Sequence, residues 1–413
     1  MTHRLAVVGV EAIHEPHTTD REPLPVEAAE DHEDLVGPPS MQGEPAVLRP
    51  PAVLRTPEVY VAEGEQYARQ KQYDKAVDAY LQAIRLNPGS AEAHQGLGTT
   101  YHNMGRPAEA LEPLRTAVRL DPQNAVAHLN LGITLGALRR PDEALGELNE
   151  AKRLRPDSAR VHNEIGNVLH SSFGRIDDAL ASYQQARALD RTVPAVHHNI
   201  GLMLMRLGRF AEAIDPLNEA LRLDSHYRNA RYLLSDAYSR SGRYEDAVDS
   251  WTKFLAIVPN GQEALHNRAW NYMYLGAHGE AAAADARAQL RVAGWRTEVS
   301  PFMVLVAHLG FRQAALDADA QAVLEEGTTK CNASAWPCPI LRYMLGALSA
   351  DQLLTAADTN DRKTEAHTYI GMDLLLKGNV DDARTHFAWV KEYGNKRFFE
   401  FPLALMELTR LGY

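Results

Sequence analysis

Residues 194–227 read PAVHHNIGLMLMRLGRFAEAIDPLNEALRLDSHY, and the rest of the chain keeps their spacing. Gly201 stands twelve residues ahead of Ala213, with Gly208-Arg209 between two apolar stretches of helical spacing. Ala76, Ala110, Ala144, Ala179, Ala213, Ala247, Ala281 and Ala315 recur every 34 residues with one 35-residue step, and Ala383 follows two periods later. Gly64, Gly98 and Gly132 also precede their alanines by twelve, and Gly166 precedes Ala179 by thirteen. Tyr67, Tyr101, Tyr238 and Tyr272 lie three after the glycine slot, and Pro88, Pro122, Pro156 and Pro259 close their units. A fixed period of this length excludes a single compact globule. It predicts an all-α helical solenoid in which each two-helix unit buries its apolar face against its neighbours.

Within a unit, the Gly and Ala slots are expected where the first helix (A) and second helix (B) approach too closely for a larger side chain. Gly208 and Gly242 are expected to end helix A at positive φ. Asn87-Pro88 and Asp121-Pro122 stop helix B and start the next unit.

With these slots in register, residues 57–395 resemble the tetratricopeptide repeat (TPR) family. The resemblance implies a right-handed superhelix of helix-turn-helix units that binds other proteins. Counted from Pro57, ten units end at Arg397. Residues 57–295 hold seven regular units, 296–363 two degenerate ones and 364–397 a final unit. Residues 398–413 read as an amphipathic helix capping the last apolar face. Residues 1–56 are acidic and Pro-rich without helical period, and are expected to be disordered.

The net charge of −11 is uneven, since residues 1–56 carry ten Asp/Glu against four Lys/Arg. The rest interleaves both signs, which argues against nucleic acid as a partner because that binding needs a concentrated basic face. No apolar run approaches the roughly 18 residues of a membrane span. The opening apolar run of six, ending at Glu11, is too short for a secretory signal and has no lipobox cysteine, so a cytoplasmic location is expected. Cys331 and Cys338 are seven apart, near enough for a local disulfide, although two reduced thiols are the preferred reading.

His94, His128, His162, His197 and His367 share slot four of their units. Successive slots lie a repeat apart, too far for one metal ion at about 2 Å, so structural histidines are expected and no metal site. No catalytic motif stands in a fitting context, and no cofactor is called for. Acid pairs such as Asp177-Asp178 and Asp381-Asp382 fall on the first turn of helix B, where they complement the helix dipole. Asn332-Ala-Ser334 matches a glycosylation sequon, which has meaning only in a secreted eukaryotic protein.

In TPR superhelices the inner surface is lined by helix A. Here that predicts a peptide-binding groove of Gln95, Thr99, Asn130, Asn163, Asn167, His198, Asn199, Tyr232, Asp236, His266, Asn267 and Trp270. An Asn amide both donates and accepts, which suits the backbone of an extended peptide. Trp270 and Tyr232, with Met205 and Met273, are the expected apolar anchors. The Asn run resembles the superhelical TPR region of O-linked N-acetylglucosamine transferases, which implies a groove and not their activity. Val61, Ala62, Gln95, Gly96, Leu129 and His198 stand where chaperone-binding TPRs place a carboxylate clamp, so a clamp is not expected.

The order of elements from Trp336 to Leu408 is similar to bacterial TPR lipoproteins of the new lipoprotein I type, implying an envelope adaptor for cell-wall hydrolases in the periplasm. The leading expectation is a non-enzymatic protein-binding scaffold. The alternatives are that adaptor, a homo-oligomer paired through Trp336 and Phe398-Phe399, and an enzyme hidden in 296–363.

Overall fold

The computed structural model describes residues 55–295, 297–333 and 335–413. The expected disordered tail lies outside the described residues, save Arg55 and Thr56. The chain divides into two compact bodies between Leu120 and Asp121. All regular structure among the described residues is helical.

The first body holds two helix pairs, α1 (Pro57–Arg69) with α2 (Tyr73–Leu86) and α3 (Ala91–Asn103) with α4 (Pro107–Leu120). The second opens with five such pairs. They are α5 (Ala125–Ala137) with α6 (Pro141–Leu154), α7 (Ala159–Phe173) with α8 (Ile176–Leu189), and α9 (Pro194–Arg206) with α10 (Phe210–Leu223). Then come α11 (Arg228–Arg240) with α12 (Tyr244–Ile257), and α13 (Gln262–Leu275) with α14 (Gly279–Ala293). After α15 (Ser300–Gln313) and α16 (Asp317–Lys330) come two seven-residue helices, α17 (Cys338–Met344) and α18 (Ala350–Ala356). The chain closes with α19 (Asn360–Leu376), α20 (Val380–Tyr393) and α21 (Glu400–Arg410).

Six of the pairs are set by a glycine beneath a large side chain, and fully buried Ser235 and Ala269 hold that slot in α11 and α13. A Cβ on Gly64 would lie 2.7 Å from Tyr80, on Gly98 2.6 Å from Leu114, and on Gly132 2.7 Å from Leu148. Gly166 meets Tyr183 at 2.6 Å, Gly201 meets Leu217 at 2.5 Å and Gly371 meets Phe387 at 2.6 Å. Ala76, Ala110, Ala144, Ala179, Ala213, Ala247 and Ala383 are fully buried at the fourth residue of their B helices. Helix starts carry side-chain caps: Ser90 accepts from the Ala93 amide, Asn124 from Val126 and Ala127, and Ser158 from Val161.

Two alanines of the 34-residue ladder do not keep this role. Helix α13 is one residue longer than α11, so Ala282 takes the fully buried place and Ala281 is only partly buried. After the longer connection to α15, Ala315 falls in the turn at φ 58°, and Ala320 packs instead. Gly310 approaches Gly279, where an added Cβ would stand 2.4 Å from the Gly279 carbonyl.

One further expectation is corrected. Cys331 and Cys338, with Cα atoms 6.0 Å apart, are joined in a disulfide, within the span such bridges require. Of the aromatic residues offered for self-pairing, Phe398 is fully buried, while Trp336, whose indole donates to Glu365, and Phe399 are partly buried.

The A-to-B turn needs a left-handed residue. Gly105, Gly174, Gly208 and Gly242 supply it, but Lys71 and Arg139 hold φ 58° and 57° with a side chain. Arg139→Gly is therefore expected to raise stability by about 0.5–1 kcal/mol, the left-handed penalty exceeding glycine's entropy. Ala213→Leu is expected to cost about 1–3 kcal/mol by overpacking. Urea unfolding of each variant reads both; an unchanged midpoint for Ala213→Leu would sink the packing argument.

Candidate functional site

Slot four proves to be a turn fastener. The Nε2–H groups of His94, His128, His162 and His197 donate to the carbonyls of Pro88, Pro122, Pro156 and Arg191 at 2.9–3.1 Å. Arg231, in the same slot, donates to the Ser225 carbonyl at 3.0 Å. Each side chain thus ties its A helix to the carbonyl six residues earlier, in the preceding turn. His367 departs: its Nδ1 lies 2.9 Å from Nδ1 of His386, and its ring stacks on Trp389 at 4.1 Å.

In the second body, A helices of successive pairs touch: α5 meets α7, α9 meets α11, and α11 meets α13. Their polar side chains are tied into clusters. The Asn199 amide donates to the Asn163 and Asn167 side-chain carbonyls at 3.2 and 3.3 Å. Those residues' own amides donate to Glu164, at 3.2 Å from Asn163 and 2.9 Å from Asn167. Tyr183, reaching over from α8, donates to Asn167 at 2.8 Å. His198 places Nδ1 3.1 Å from the Asn199 carbonyl and stacks on Tyr227 at 5.0 Å. Burial lowers the His198 pKa, and the hydrogen bond to Asn199 raises it in opposition.

This cluster joins four of the expected groove residues, Asn163, Asn167, His198 and Asn199. It also adds three that reasoning from the sequence missed: Glu164, Tyr183 and Tyr227. Glu164 was legible, since it occupies the slot where neighbouring units carry Asn. Tyr183 was not, because it comes from a B helix. Asn163, Asn167 and Asn199 meet in one place and bond one another. Together they form a pre-ordered polar surface with a carboxylate at one end.

The next cluster lies on α11. Tyr232 donates to Glu263 at 2.7 Å and packs edge-on against Trp251. Asp236 pairs with Arg240 at 2.8 Å, and the guanidinium lies over Phe210. Burial pushes the Asp236 carboxyl up, and Arg240 pulls it back down. Asn271 bonds the Asn267 carbonyl and the Ser239 hydroxyl, joining α13 to α11.

Other expected groove residues stand elsewhere. Thr99 returns its hydroxyl to the Gln95 carbonyl within α3, in the first body. Asn130 is buried at 8% exposure. The apolar anchors are corrected: Trp270 is 1% exposed and Met205 and Met273 are buried. Trp270 stacks at 5.3 Å on Phe399, whose ring also meets His266 edge-on at 4.9 Å. The chain's own C-terminal segment covers this part of the inner layer.

Burial alone lowers His266 to about 4. An unfolded histidine takes up its proton near pH 6.5, so this residue's contribution to stability is full above 6.5 and is lost as pH falls towards 4. Urea midpoints at pH 7 and 4.5 are expected to fall less for His266→Phe than for wild type. Equal falls would refute a neutral, buried imidazole.

The profile of the cilia and flagella-associated protein 70 C-terminal domain, a TPR family, matches residues 29–268. Among solved structures, the chain is similar to PilF of Pseudomonas aeruginosa, with 21% identity over 52% of this chain and 96% of that one and a TM-score of 0.48. It is also similar to a thermophilic TPR protein of Thermus thermophilus, with 26% identity over 44% of this chain and 98% of that one and a TM-score of 0.39. MamA of Desulfovibrio magneticus RS-1 aligns at 18% identity over 41% of this chain and 96% of that one, with a TM-score of 0.37.

Proposed function

The chain belongs to the cilia and flagella-associated protein 70 C-terminal domain family of TPR proteins, and on that premise we propose that it is a non-enzymatic scaffold whose inner A-helix layer holds an extended segment of a partner protein. The observation that carries this reading is the cluster of Asn163, Glu164, Asn167, His198 and Asn199. Its side chains hold one another in place, so a ligand's backbone meets donors and acceptors already oriented, and less ordering entropy opposes binding. Glu164 and Glu263 add negative charge to the same layer, which suits a segment bearing Lys or Arg beside its free amides.

The affinity test uses full-length protein as bait in native lysate, beside an Asn163→Ala/Asn199→Ala variant. Partners held by wild type are expected to bind the variant at least tenfold more weakly, with the melting temperature little changed. Equal recovery would move recognition off this layer. Trp270→Ala is not an equivalent probe, because truncating a buried Trp costs about 3–5 kcal/mol of fold stability.

The disulfide favours the envelope adaptor over a cytoplasmic location. Such bridges persist in oxidising compartments and are rare where thiols are kept reduced. Alkylation of protein taken directly from native cells is expected to label neither cysteine. Two labelled thiols would support the cytoplasm.

A further inference from the structure

The last element of the chain sits where a ligand would. Phe399 lays its ring on Trp270 and His266, and its carbonyl accepts a hydrogen bond from the Tyr274 hydroxyl at 3.0 Å. At the other end of α21, Arg410 donates to the Tyr274 carbonyl and packs its guanidinium against Gly276, where no side chain intervenes. From α19, Tyr369 donates to Glu400 at 3.0 Å. The helix is therefore read by two A helices through an aromatic ring, two backbone hydrogen bonds and a carboxyl group, while its apolar side, with Leu403 and Ala404 fully buried, packs into the core and α21 also lies against α20. None of these contacts depends on α21 being covalently part of this chain.

We propose that α13 and α19 form a docking site for an aromatic residue followed by an acidic helical turn, that Phe399–Arg410 is its resident occupant, and that a partner segment of the same chemistry displaces it. This inference is independent of the Asn cluster on α7 and α9.

The resident is held at a cost that makes displacement feasible. Glu400 is fully buried, and its Oε2 has no partner among the described residues. Glu365, 2% exposed, stands on the same helix as Tyr369 and is bonded by the Trp336 indole. The charged and titratable groups around this pair are Tyr369, Asp361 and Arg362 of α19, Tyr274 and His266 of α13, and Glu407 and Arg410 of α21 itself. Arg362 lies over the Trp336 ring, leaving no cation among the described residues bonded to Glu400.

Burial pushes the Glu400 carboxyl up to about 7, and burial followed by the nearby Glu400 charge raises Glu365. A released α21 returns Glu400 to its ordinary 4.5, so docking is strongest below that value and weakens as pH rises to about 7. The full span from 4.5 to about 7 corresponds to up to about 300-fold in the docking equilibrium. His266 works in the opposite sense below pH 6.5, where release would let it charge.

The test compares wild type with Glu400→Gln, full-length, at pH 5 and pH 8 by amide hydrogen exchange. The difference between the two proteins cancels His266. The α21 amides are expected to be at least tenfold better protected in Glu400→Gln at pH 8 and nearly equal at pH 5, with α7 and α9 unchanged throughout. A fluorescent peptide copying residues 397–413 then serves as the partner. It is expected to bind full-length Phe399→Ala at least tenfold more tightly than wild type, and to lose binding when its own Phe399 equivalent is Ala. Protection of α21 that is identical in both proteins at both pH values would overturn the proposal. So would a peptide that binds wild type and Phe399→Ala equally. Should Phe399→Ala fail to fold, Phe399→Leu takes its place in the peptide measurement, with the same two outcomes.

Discussion

The contact on which the fold depends is the close crossing inside the helix pairs, where in six of them a glycine of helix A accepts a Tyr, Leu or Phe of helix B onto its bare backbone. At Gly201 a single added carbon would stand 2.5 Å from Leu217. Leu217 is itself fully buried in a close-packed interior, so it cannot swing aside into solvent. The crossing fixes how each pair sits, and in the second body the pairs fix how the A helices meet. The polar layer of α7 and α9 is a consequence of that spacing: the Asn199 amide reaches Asn163 and Asn167, 36 and 32 residues away in sequence, only because the two helices are held side by side.

That contact also explains which parts of the fold are legible from the residues. Gly and Ala slots at a fixed period are direct records of close backbone approach, so the helix pairs can be placed by counting. The count fails where the constraint changes. At α14 an added residue in α13 moves the buried place from Ala281 to Ala282, and at α16 the longer connection moves it from Ala315 to Ala320. Alanine does not record why it is there, and an exposed turn Ala has the same letter as a packed one.

The candidate site is legible in a different measure. Helical spacing correctly places Asn163, Asn167 and Asn199 on helix A, but spacing cannot say whether an amide is free or already bonded to its neighbour in the next repeat. Tyr183 and Phe399 arrive from a B helix and from the far C terminus, and no local pattern announces either. Trp270 reads as an anchor for a ligand because large aromatics on an inner face usually wait for one. Here the ring is met by Phe399 from the same chain. The slot-four histidines are structural, as their spacing implies, though the physical reason is a hydrogen bond to the preceding turn and not packing alone.

The inner layer therefore has two kinds of surface with different energetics. Around Asn199 the groups are hydrogen-bonded to one another and carry the charge of Glu164, so a ligand there exchanges bonds with water for bonds with fixed dipoles. The net gain per bond is then about 0.5–1.5 kcal/mol, and recognition rests on orientation and charge more than on buried area. Around Trp270 the surface is aromatic and already covered, so any newcomer gains only the difference between itself and Phe399. On the proposed reading, an open polar stretch beside an occupied apolar one would give weak, adjustable binding along the first and an all-or-none exchange at the second. The two surfaces meet at α13, where Asn271 bonds α11's Ser239 while Trp270, one residue earlier, holds the closing segment. A ligand long enough to run along α7, α9 and α11 would reach that segment at its end, and the same helix would then carry both the last polar contact and the first competed one.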